Sequence, residues 1–328
     1  MVNLFSNHST RRKGAKIRVN DEKNTYGTPD KTGETLLVGF SSPLEYLSLQ
    51  KSRVDAYIDR YLLPENALPV SIHKAIRYSV FSGGKRFRAG LCIAACETFG
   101  GDMVKVLPVA SGIELIHAYS LIHDDLPCMD DDDLRRGKPT LHKVYGENIA
   151  VLAGDALNAL AFDLVSQAEN PRLIRILAHA IGTEGMIGGQ VADVESSGKG
   201  NITPHDVEFI HTHKTGALIR ASLEMGAVTG GASEKNQNIV RKFGCLIGLA
   251  FQIVDDILDI ESSDEVLGKD VGSDENKDKA TYPKVYGLLQ SKDIARGLIN
   301  EAAEVIGRID KDAAILKNLA EFVTSRVY

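Results

Sequence analysis

Apolar residues recur at helical spacing along almost the whole chain from residue 42 to residue 328. Segments 106–123 and 149–165 are apolar on nearly all sides, which is typical of helices in the middle of a large bundle. Strict alternation of apolar and polar residues, which would indicate half-buried strands, does not persist anywhere in the sequence. We therefore predict an all-α fold, a single large helical bundle over residues 41–328. The apolar period is clearest in the window 239–258, at Ile239, Phe243, Leu246, Ile247, Ala250, Val254 and Ile257.

The first 40 residues differ in composition from the rest of the chain. They are polar and basic, and their few apolar residues follow no regular spacing, so we predict a flexible N-terminal arm over 1–40, outside the bundle. Asp21 and Glu22 argue against a transit peptide, because such peptides contain few acids. We expect a cytoplasmic protein, with a plastid or another organelle as the alternative. That alternative depends on a cluster of cations at Arg11, Arg12, Lys13, Lys16 and Arg18.

The overall composition excludes several classes of partner. The chain has 328 residues, of which 43% are hydrophobic and 25% charged, as in globular proteins. Its net charge of −6 leaves no basic excess for nucleic acid. We find no apolar run that approaches the roughly 18 residues of a membrane span. Because the four cysteines show no CxxC spacing, we predict small buried residues without a disulfide or zinc site. They are Cys92, Cys96, Cys128 and Cys245.

An acidic cluster follows one of the apolar segments. LIHDDLPCMDDDDLRRGKPTLH, residues 121–142, has six aspartates within ten positions. Pro127 should end the helix directly after Asp124 and Asp125, where the helix dipole disfavours carboxylates by roughly 0.3–1 kcal/mol each. A solvated loop would explain an arbitrary acidic run, but a helix end that only needed solubility would use Lys or Gly. The arrangement indicates a cationic partner.

A second acidic cluster lies far downstream, in FQIVDDILDIESSDEVLGKD, residues 251–270. Asp255 and Asp259 are four residues apart, so their carboxylates share one helical face. Two carboxylate clusters at the ends of buried helices are unfavourable without a ligand. Carboxylate oxygens select Mg²⁺, Mn²⁺ or Ca²⁺, and Mg²⁺ typically combines few carboxylates with substrate phosphates. We therefore predict several Mg²⁺ ions, with Mn²⁺ as an alternative, that hold a polyphosphate between the clusters.

Cations for such an anion occur at predicted turns. SGGKRFR, residues 82–88, places Lys85, Arg86 and Arg88 directly after a Gly-Gly break, where backbone N–H groups and side chains bind phosphate. This stretch is not a P-loop, and considered by itself it indicates a surface turn rather than a phosphate site. Lys214 in THKTG and Lys269 in LGKD add further cations.

Taken together, these motifs resemble those of the trans-isoprenyl diphosphate synthases, the polyprenyl synthetase family, over essentially residues 42–328. In chain order they are GGKRFR, HAYSLIHDDLPCMDDDDLRRGKPT, LAGDAL, GQ at 189–190, HKTGALI, FQIVDDILD, GKD and DKATYP. Members of this family are helical bundles around a deep apolar pocket and are usually homodimers. The resemblance implies a short-chain, Mg²⁺-dependent prenyltransferase that joins isopentenyl diphosphate to an allylic diphosphate, dimethylallyl or geranyl. It also implies a homodimer.

The resemblance also implies roles for individual residues. The metal-binding and catalytic carboxylates would be Asp124, Asp125, Asp130, Asp255, Asp256 and Asp259. Contacts to the allylic diphosphate would come from Arg135, Lys214, Thr215, Gln252, Lys269 and Lys279, of which Lys214 and Lys269 are also expected to be catalytic. The isopentenyl diphosphate would be held by Lys85, Arg88, His117 and Arg136, with Arg326 helping to close that site. Ala89 departs from the family, which usually has proline there.

The helix before the first aspartates lines the pocket in this family and sets the product length. Ser120 lies one turn before Asp124, and Tyr119 lies five residues before it. We predict that the Tyr119 ring forms the pocket floor and stops elongation at farnesyl diphosphate; ordinary helix packing is the alternative for this side chain. Geranylgeranyl diphosphate is the alternative product, because PCMDDDDLRRGKPTLHKVYGE also resembles plastid-type geranylgeranyl synthases.

Two other functions use related sequences. Terpene cyclases also carry an acidic Mg²⁺ motif, but their second motif mixes Asn, Ser or Thr, and Glu, whereas here it is rich in Asp. A silent regulatory subunit would be expected to lack one aspartate motif, and both are intact. The sequence therefore favours an active synthase over both.

Overall fold

The computed structural model describes residue 40 and residues 42–197, 202–261 and 279–325. Residues 1–39 of the predicted N-terminal arm, Lys269 and Arg326 lie outside these ranges. The described part is almost entirely helical, which confirms the predicted all-α fold. Its α-helices are α1 (Pro43–Tyr61), α2 (Val70–Val80), α3 (Phe87–Thr98), α4 (Met103–Asp124), α5 (Leu141–Tyr145), α6 (Glu147–Ser166), α7 (Pro171–Ile181), α8 (Met186–Ser196), α9 (Pro204–Ile210), α10 (Ala217–Thr229), α11 (Glu234–Glu261), α12 (Tyr282–Tyr286), α13 (Leu288–Ile306) and α14 (Ala314–Thr324).

Two non-α elements interrupt this pattern. A π-helical segment, His211–Gly216, joins α9 to α10. A short hairpin pairs β1 (Leu134–Arg135) with β2 (Lys138–Pro139). The central residues of its turn, Arg136 and Gly137, both have positive φ, at 55° and 73°, as a tight two-residue hairpin requires. Both interruptions place charged side chains of the candidate site.

Two long helices form the centre of the bundle. α4 packs against α6 and α3, and α11 packs against α13 and α10. Ile113 and Leu115 of α4, like Phe243 and Ile247 of α11, are fully buried. α4 ends at Asp124, with Asp125 as its C-cap, where Pro127 predicted the end. The central helices therefore carry their aspartates at or near their C-terminal ends.

The prediction that both apolar segments are buried holds for α4 but not for all of α6. Val151 and Leu152 of α6 are 40% and 54% exposed. By length and composition α4 and α6 could each cross a membrane, so the expectation that no run is long enough was wrong. The two helices pack against each other inside the bundle. Composition does not separate a membrane span from a core helix, because both are long and apolar.

The cysteine prediction was correct for two of the four residues. Cys92 and Cys96 are fully buried on α3, whereas Cys128 and Cys245 are exposed. Cys245 lies on an outward-facing position of α11, and Cys128 lies in the loop after α4. All four are free thiols in this structure. The apolar or acidic neighbours of a cysteine do not reveal which face of a helix it occupies.

Candidate active site

A cavity of about 830 Å³ lies among α3, α4, α8, α11 and the π-helical segment. Both aspartate motifs open into it, through Asp124 and Asp130 from the first and Asp255 from the second. The structure thus brings together two clusters that are about 130 residues apart in the chain. The other predicted site residues that line the cavity are Lys85, Arg88, His117, Tyr119, Ser120, Arg135, Arg136, Lys214, Thr215, Gln252 and Lys279.

Three of the six predicted metal ligands do not line this cavity: Asp125, Asp256 and Asp259. Asp125 accepts a hydrogen bond from Arg135 Nε at 2.9 Å. Asp256 lies 2.7 Å from His211 Nε2. Asp259 is buried one turn beyond Asp255. The second aspartate of each motif, Asp125 or Asp256, is therefore bound by a basic side chain of the protein. The sequence does not reveal this difference between the first and second aspartates.

The π-helical segment presents Lys214 and Thr215 to the cavity. A Cβ on Gly189 of α8 would lie 2.1 Å from Lys214 N, and one on Gly248 of α11 would lie 2.8 Å from Gly216 Cα. Only glycine permits these approaches, because real Cβ atoms do not come so close to backbone atoms. The π-helical segment is thus packed between α8 and α11, and π-helical segments often occur at functional sites.

Lys214 is the central cation of the site. Its Nζ lies 2.5 Å from Asp193 Oδ2 on α8. Burial opposes its charge, but Asp124, Asp193 and Asp130 outweigh burial and raise the pKa of Lys214 above its usual value. Lys214 therefore remains an ammonium at any physiological pH and lies close to Asp124 and Asp130 of the first aspartate motif.

A hydrogen-bond network ties the π-helical segment to α11 and α12. Thr215 Oγ1 donates to Gln252 Oε1 at 2.6 Å, and Gln252 Nε2 donates to Asp256 Oδ1 at 3.1 Å. Asp256 Oδ2 also accepts from the backbone N–H of Tyr282 at 2.9 Å. Together with His211, these contacts make Asp256 a structural anchor for the residues that surround Lys214.

The Gly-Gly break has a steric cause. Gly83 and Gly84 have φ of 115° and 103°, which side-chain-bearing residues rarely adopt. A Cβ on Gly84 would also lie 2.7 Å from the Arg136 guanidinium, which donates to Gly83 O. Arg86 is engaged in salt bridges to Asp55 at 2.8 Å and Glu114 at 3.6 Å. Arg88 and Arg136 are thus the arginines that this region offers to an anion.

Electrostatics make the arginine side of the cavity favourable for an anion. Arg88 Nη1 lies 3.4 Å from His117 Nε2. Burial, together with Arg88, Arg136, Arg86 and Arg135, lowers the pKa of His117 well below its usual value, so the imidazole is neutral near pH 7. Burial also lowers the pKa of Arg88 and of Arg136. Bound negative charge would relieve the cost of these two partly buried cations.

The aspartate side has the opposite requirement. Burial raises the pKa of Asp124, against the effect of Lys214, and raises the pKa of Asp125 to about 6, against the effect of Arg135. Asp130 pairs with Lys279 at 3.1 Å. Over the described residues, no three His, Cys, Asp or Glu side chains converge as ligands for one ion. The carboxylate donors fit Mg²⁺, which typically completes its coordination with waters and substrate phosphates.

The sequence analysis assigned no role to three polar residues near the cavity: Gln190, which it named only within the GQ motif, Asp193 and His211. Gln190 lines the cavity and Asp193 binds Lys214. Met186, Gln190 and Asp193 are spaced i, i+4 and i+7, so they share one face of α8. That amphipathic pattern was the available signal for the first two. His211 has no comparable signal, because its partner Asp256 is distant in the sequence.

An all-helical bundle whose cavity joins two aspartate clusters, buried arginines and an apolar interior is the architecture of an isoprenoid synthase. The model of the family "Polyprenyl synthetase" matches residues 69–321. The chain belongs to this family and is a trans-prenyltransferase, so the predicted recognition and enzyme class are confirmed.

Relatives and solved structures agree with this assignment. The chain is 50% identical to a chloroplastic geranylgeranyl pyrophosphate synthase of Catharanthus roseus, over 79% of this chain and 74% of the relative. It is also 50% identical to the chloroplastic large subunit 1 of a heterodimeric geranylgeranyl pyrophosphate synthase of Arabidopsis thaliana, over 79% and 73%. A Helicobacter pylori geranyltransferase, solved with magnesium and isoprenyl diphosphate, is 33% identical over 88% of this chain and 98% of its own, with a TM-score of 0.77.

Proposed function

We propose that the protein makes geranylgeranyl diphosphate by adding isopentenyl diphosphate to shorter allylic diphosphates. The observation that carries this proposal is that both aspartate motifs and the Arg88–Arg136 cluster open into one cavity. The product follows from the relatives, which are named geranylgeranyl pyrophosphate synthases at 50% identity. They support the geranylgeranyl alternative better than the farnesyl product that Tyr119 suggested.

Three carboxylates are proposed to bind Mg²⁺ from the cavity wall: Asp124, Asp130 and Asp255. Asp259 shares the helical face of Asp255 and is proposed to support it. Asp125 and Asp256 are assigned a different role, because Arg135 and His211 occupy them; they hold the basic residues and the π-helical segment in position. When bound, Mg²⁺ neutralises charge on the diphosphate that leaves.

Two groups of side chains are proposed to hold the two substrates apart. Arg135, Lys214, Thr215, Gln252 and Lys279 surround the aspartates and would bind the allylic diphosphate, with Lys269 added by family resemblance. Lys85, Arg88, His117 and Arg136 lie on the arginine side and would bind isopentenyl diphosphate. A neutral His117 fits this position because it adds a hydrogen-bonding group without adding another buried positive charge.

The reaction follows from this separation of charge. The bond between C1 of the allylic substrate and its diphosphate oxygen breaks, and the electron pair leaves with the diphosphate. The double bond of isopentenyl diphosphate then donates its electrons to C1 and forms the new carbon–carbon bond. A proton leaves C2 of the isopentenyl unit to the departed diphosphate, and a new double bond forms. Lys214 and Arg135 stabilise the leaving anion, and buried apolar wall residues such as Met186 and Leu218 exclude water that would quench the cation.

The direct test uses labelled isopentenyl diphosphate with dimethylallyl, geranyl or farnesyl diphosphate and Mg²⁺, followed by product sizing. We expect a C20 product from each starter, with farnesyl diphosphate consumed. Accumulation of a C15 product with no turnover of farnesyl diphosphate would contradict the proposed product. A cyclic hydrocarbon, or no product from the purified chain, would instead favour the cyclase or the silent subunit.

Tyr119 provides a test of how the cavity limits product length. Its half-buried ring lines the cavity and packs edge-on against His123, with ring centroids 5.0 Å apart. Tyr119→Ala removes this part of the wall, so we expect products at least one isoprene unit longer than those of the wild type. Tyr57→Ala, a half-buried ring on α1 that hydrogen-bonds Gln167 outside the cavity, is the matched control. An unchanged product distribution for Tyr119→Ala would assign this ring to helix packing only.

A homodimer remains the proposed assembly. Five apolar side chains on α6 and α8 are each between 39% and 54% exposed: Val151, Leu152, Ile187, Val191 and Val194. Three of them, Val151, Ile187 and Val191, also line the cavity, so a second copy that covers them would complete its wall. The heterodimeric Arabidopsis relative suggests a smaller partner as the alternative. Size-exclusion chromatography with light scattering on the purified chain distinguishes a dimer from a monomer that lacks its partner.

A plastid is the proposed compartment, with residues 1–40 as the targeting segment. The relatives named above are both chloroplastic, which supports the organelle alternative over the cytoplasm. The folded domain is proposed to cover residues 41–328, consistent with the family match at 69–321.

A further inference from the structure

The amide of Gln190 is a polar group of the cavity that the roles above do not use. Gln190 lines the cavity, and its Oε1 and Nε2 are both buried with no hydrogen-bond partner among the residues that the structure describes. Burial of an unbonded amide is unfavourable by roughly 1–3 kcal/mol. A position that only filled space would be better occupied by an apolar side chain, so the unpaired amide points to a ligand.

The location of Gln190 on α8 indicates which part of a ligand it meets. Asp193, three residues later, binds Lys214, and Ile187, three residues earlier, lines the cavity. At 1.5 Å per residue, Gln190 lies about 4.5 Å along the helix from each of them. Gly189, directly before it, packs on the backbone of Lys214. Gln190 is thus at the boundary between the ionic part of the cavity and its apolar part.

We propose that Gln190 is a catalytic residue that contacts the allylic substrate at the carbon–oxygen bond that breaks. This inference rests on the proposed prenyl transfer. As the bond breaks, the electron pair goes to the diphosphate oxygen, and positive charge spreads over C1 and C3 of the allyl group. Nε2 donates a hydrogen bond to the departing oxygen, while Oε1 faces the positive carbons. The fixed amide dipole is then aligned with the charge separation, so it stabilises the transition state more than the bound substrate.

The main test is Gln190→Met, which keeps an unbranched side chain of similar length and removes the amide. We expect kcat to fall by about 10–100-fold, because removal of a preorganised polar group acts on the transition state. The KM for isopentenyl diphosphate should stay within about twofold, since Arg88 and Arg136 are unaffected. The melting temperature should not fall, because the variant no longer buries an unbonded amide.

Binding of two allylic analogues separates catalysis from packing. One is an ammonium analogue that carries positive charge at the allylic position, bound together with inorganic diphosphate and Mg²⁺. The other is a thiolodiphosphate, which keeps the uncharged shape of the substrate and ionises slowly. We expect Gln190→Met to raise the Kd of the ammonium analogue by at least about tenfold and the Kd of the thiolodiphosphate by no more than about twofold. An equal loss for both analogues would overturn the inference, because a packing defect does not distinguish charge.

A second variant, Gln190→Glu, keeps the inference testable if Gln190→Met does not fold. Gln190→Glu keeps the shape of the side chain, and its protonated carboxyl again offers one donor and one acceptor. Burial should raise the pKa of that carboxyl, so the ratio of variant to wild-type kcat should rise as the pH falls. A ratio that does not depend on pH would contradict the proposed contact.

Asn158→Leu is the matched control. Asn158 Oδ1 is also buried without a hydrogen-bond partner in the described ranges, but Asn158 does not line the cavity. We expect its kcat to stay within about threefold of the wild type, as for substitutions away from the site. If the wild type is active and Gln190→Met has the same kcat, this inference is overturned and the proposed function stands. Absence of any product from the wild type would overturn both.

Discussion

Asp124→Asn is expected to reduce kcat/KM by about 10²–10³-fold, the effect of removing one preorganised electrostatic group from a reaction site. Asp124 lies at the end of α4, lines the cavity beside Lys214 and is a proposed Mg²⁺ ligand. Asparagine keeps the shape of the side chain but loses its negative charge, so it binds a hard cation more weakly. Steady-state kinetics at several Mg²⁺ concentrations measure the loss, which should be partly relieved at high Mg²⁺.

The stability of this variant separates a metal role from a folding role. Burial raises the pKa of Asp124 in the folded protein, so its ionisation opposes folding at neutral pH, and the neutral form is favoured at lower pH. We therefore expect the metal-free variant to melt at or above the wild-type temperature near pH 7. Asp133→Asn is the control, because Asp133 is exposed in the same acidic run and pairs with Lys143. Near wild-type kinetics for Asp124→Asn would contradict the metal assignment.

Lys214→Met should have the second largest effect, with kcat/KM for the allylic substrate reduced by about 10²-fold. Asp124, Asp193 and Asp130 each raise the pKa of Lys214, so the loss of this lysine removes positive charge that would stabilise the departing diphosphate. We expect the KM for isopentenyl diphosphate to change little, because that substrate is assigned to the arginine side. Kinetics with each substrate varied in turn provide the measurement.

The same substitution should also destabilise the fold. The pKa of Lys214 is raised in the folded state, so its ion pairs stabilise the protein below the pKa of the unfolded lysine and are lost only when the pH rises through the folded value. Removing the lysine leaves Asp193 buried without its cation, which is unfavourable by about 3–5 kcal/mol. The added change Asp193→Asn should restore most of this stability but not the activity. If it restored both, Lys214 would have only a structural role.

Lys242→Met is the matched control for these measurements. Lys242 pairs with Glu301 at 2.8 Å, and both side chains are about half exposed. Surface pairs of this kind contribute about 0–1 kcal/mol, so stability and kinetics should both stay close to the wild type.

Local sequence patterns were sufficient for the helices and for the chemical class of the site. The period of apolar residues reports which face of a helix is buried, and Pro127 marked the end of α4. The two aspartate motifs predicted a magnesium–diphosphate site because charged groups at the ends of apolar helices require a partner. These inferences depend on neighbours within one or two helical turns.

Only the tertiary structure distinguished residues of the same type within each motif. Asp124 lines the cavity while Asp125 binds Arg135, and Asp255 lines it while Asp256 binds His211. These partners come from other elements, so spacing along one helix does not contain them. The same limit explains why the GQ motif gave Gln190 no role and why the exposure of Val151 on α6 was not predicted. The sequence by itself determined that the chain forms helices that carry the two aspartate motifs of a trans-prenyltransferase. The packing of distant helices decided which side chains line the cavity, because contact depends on distance in space.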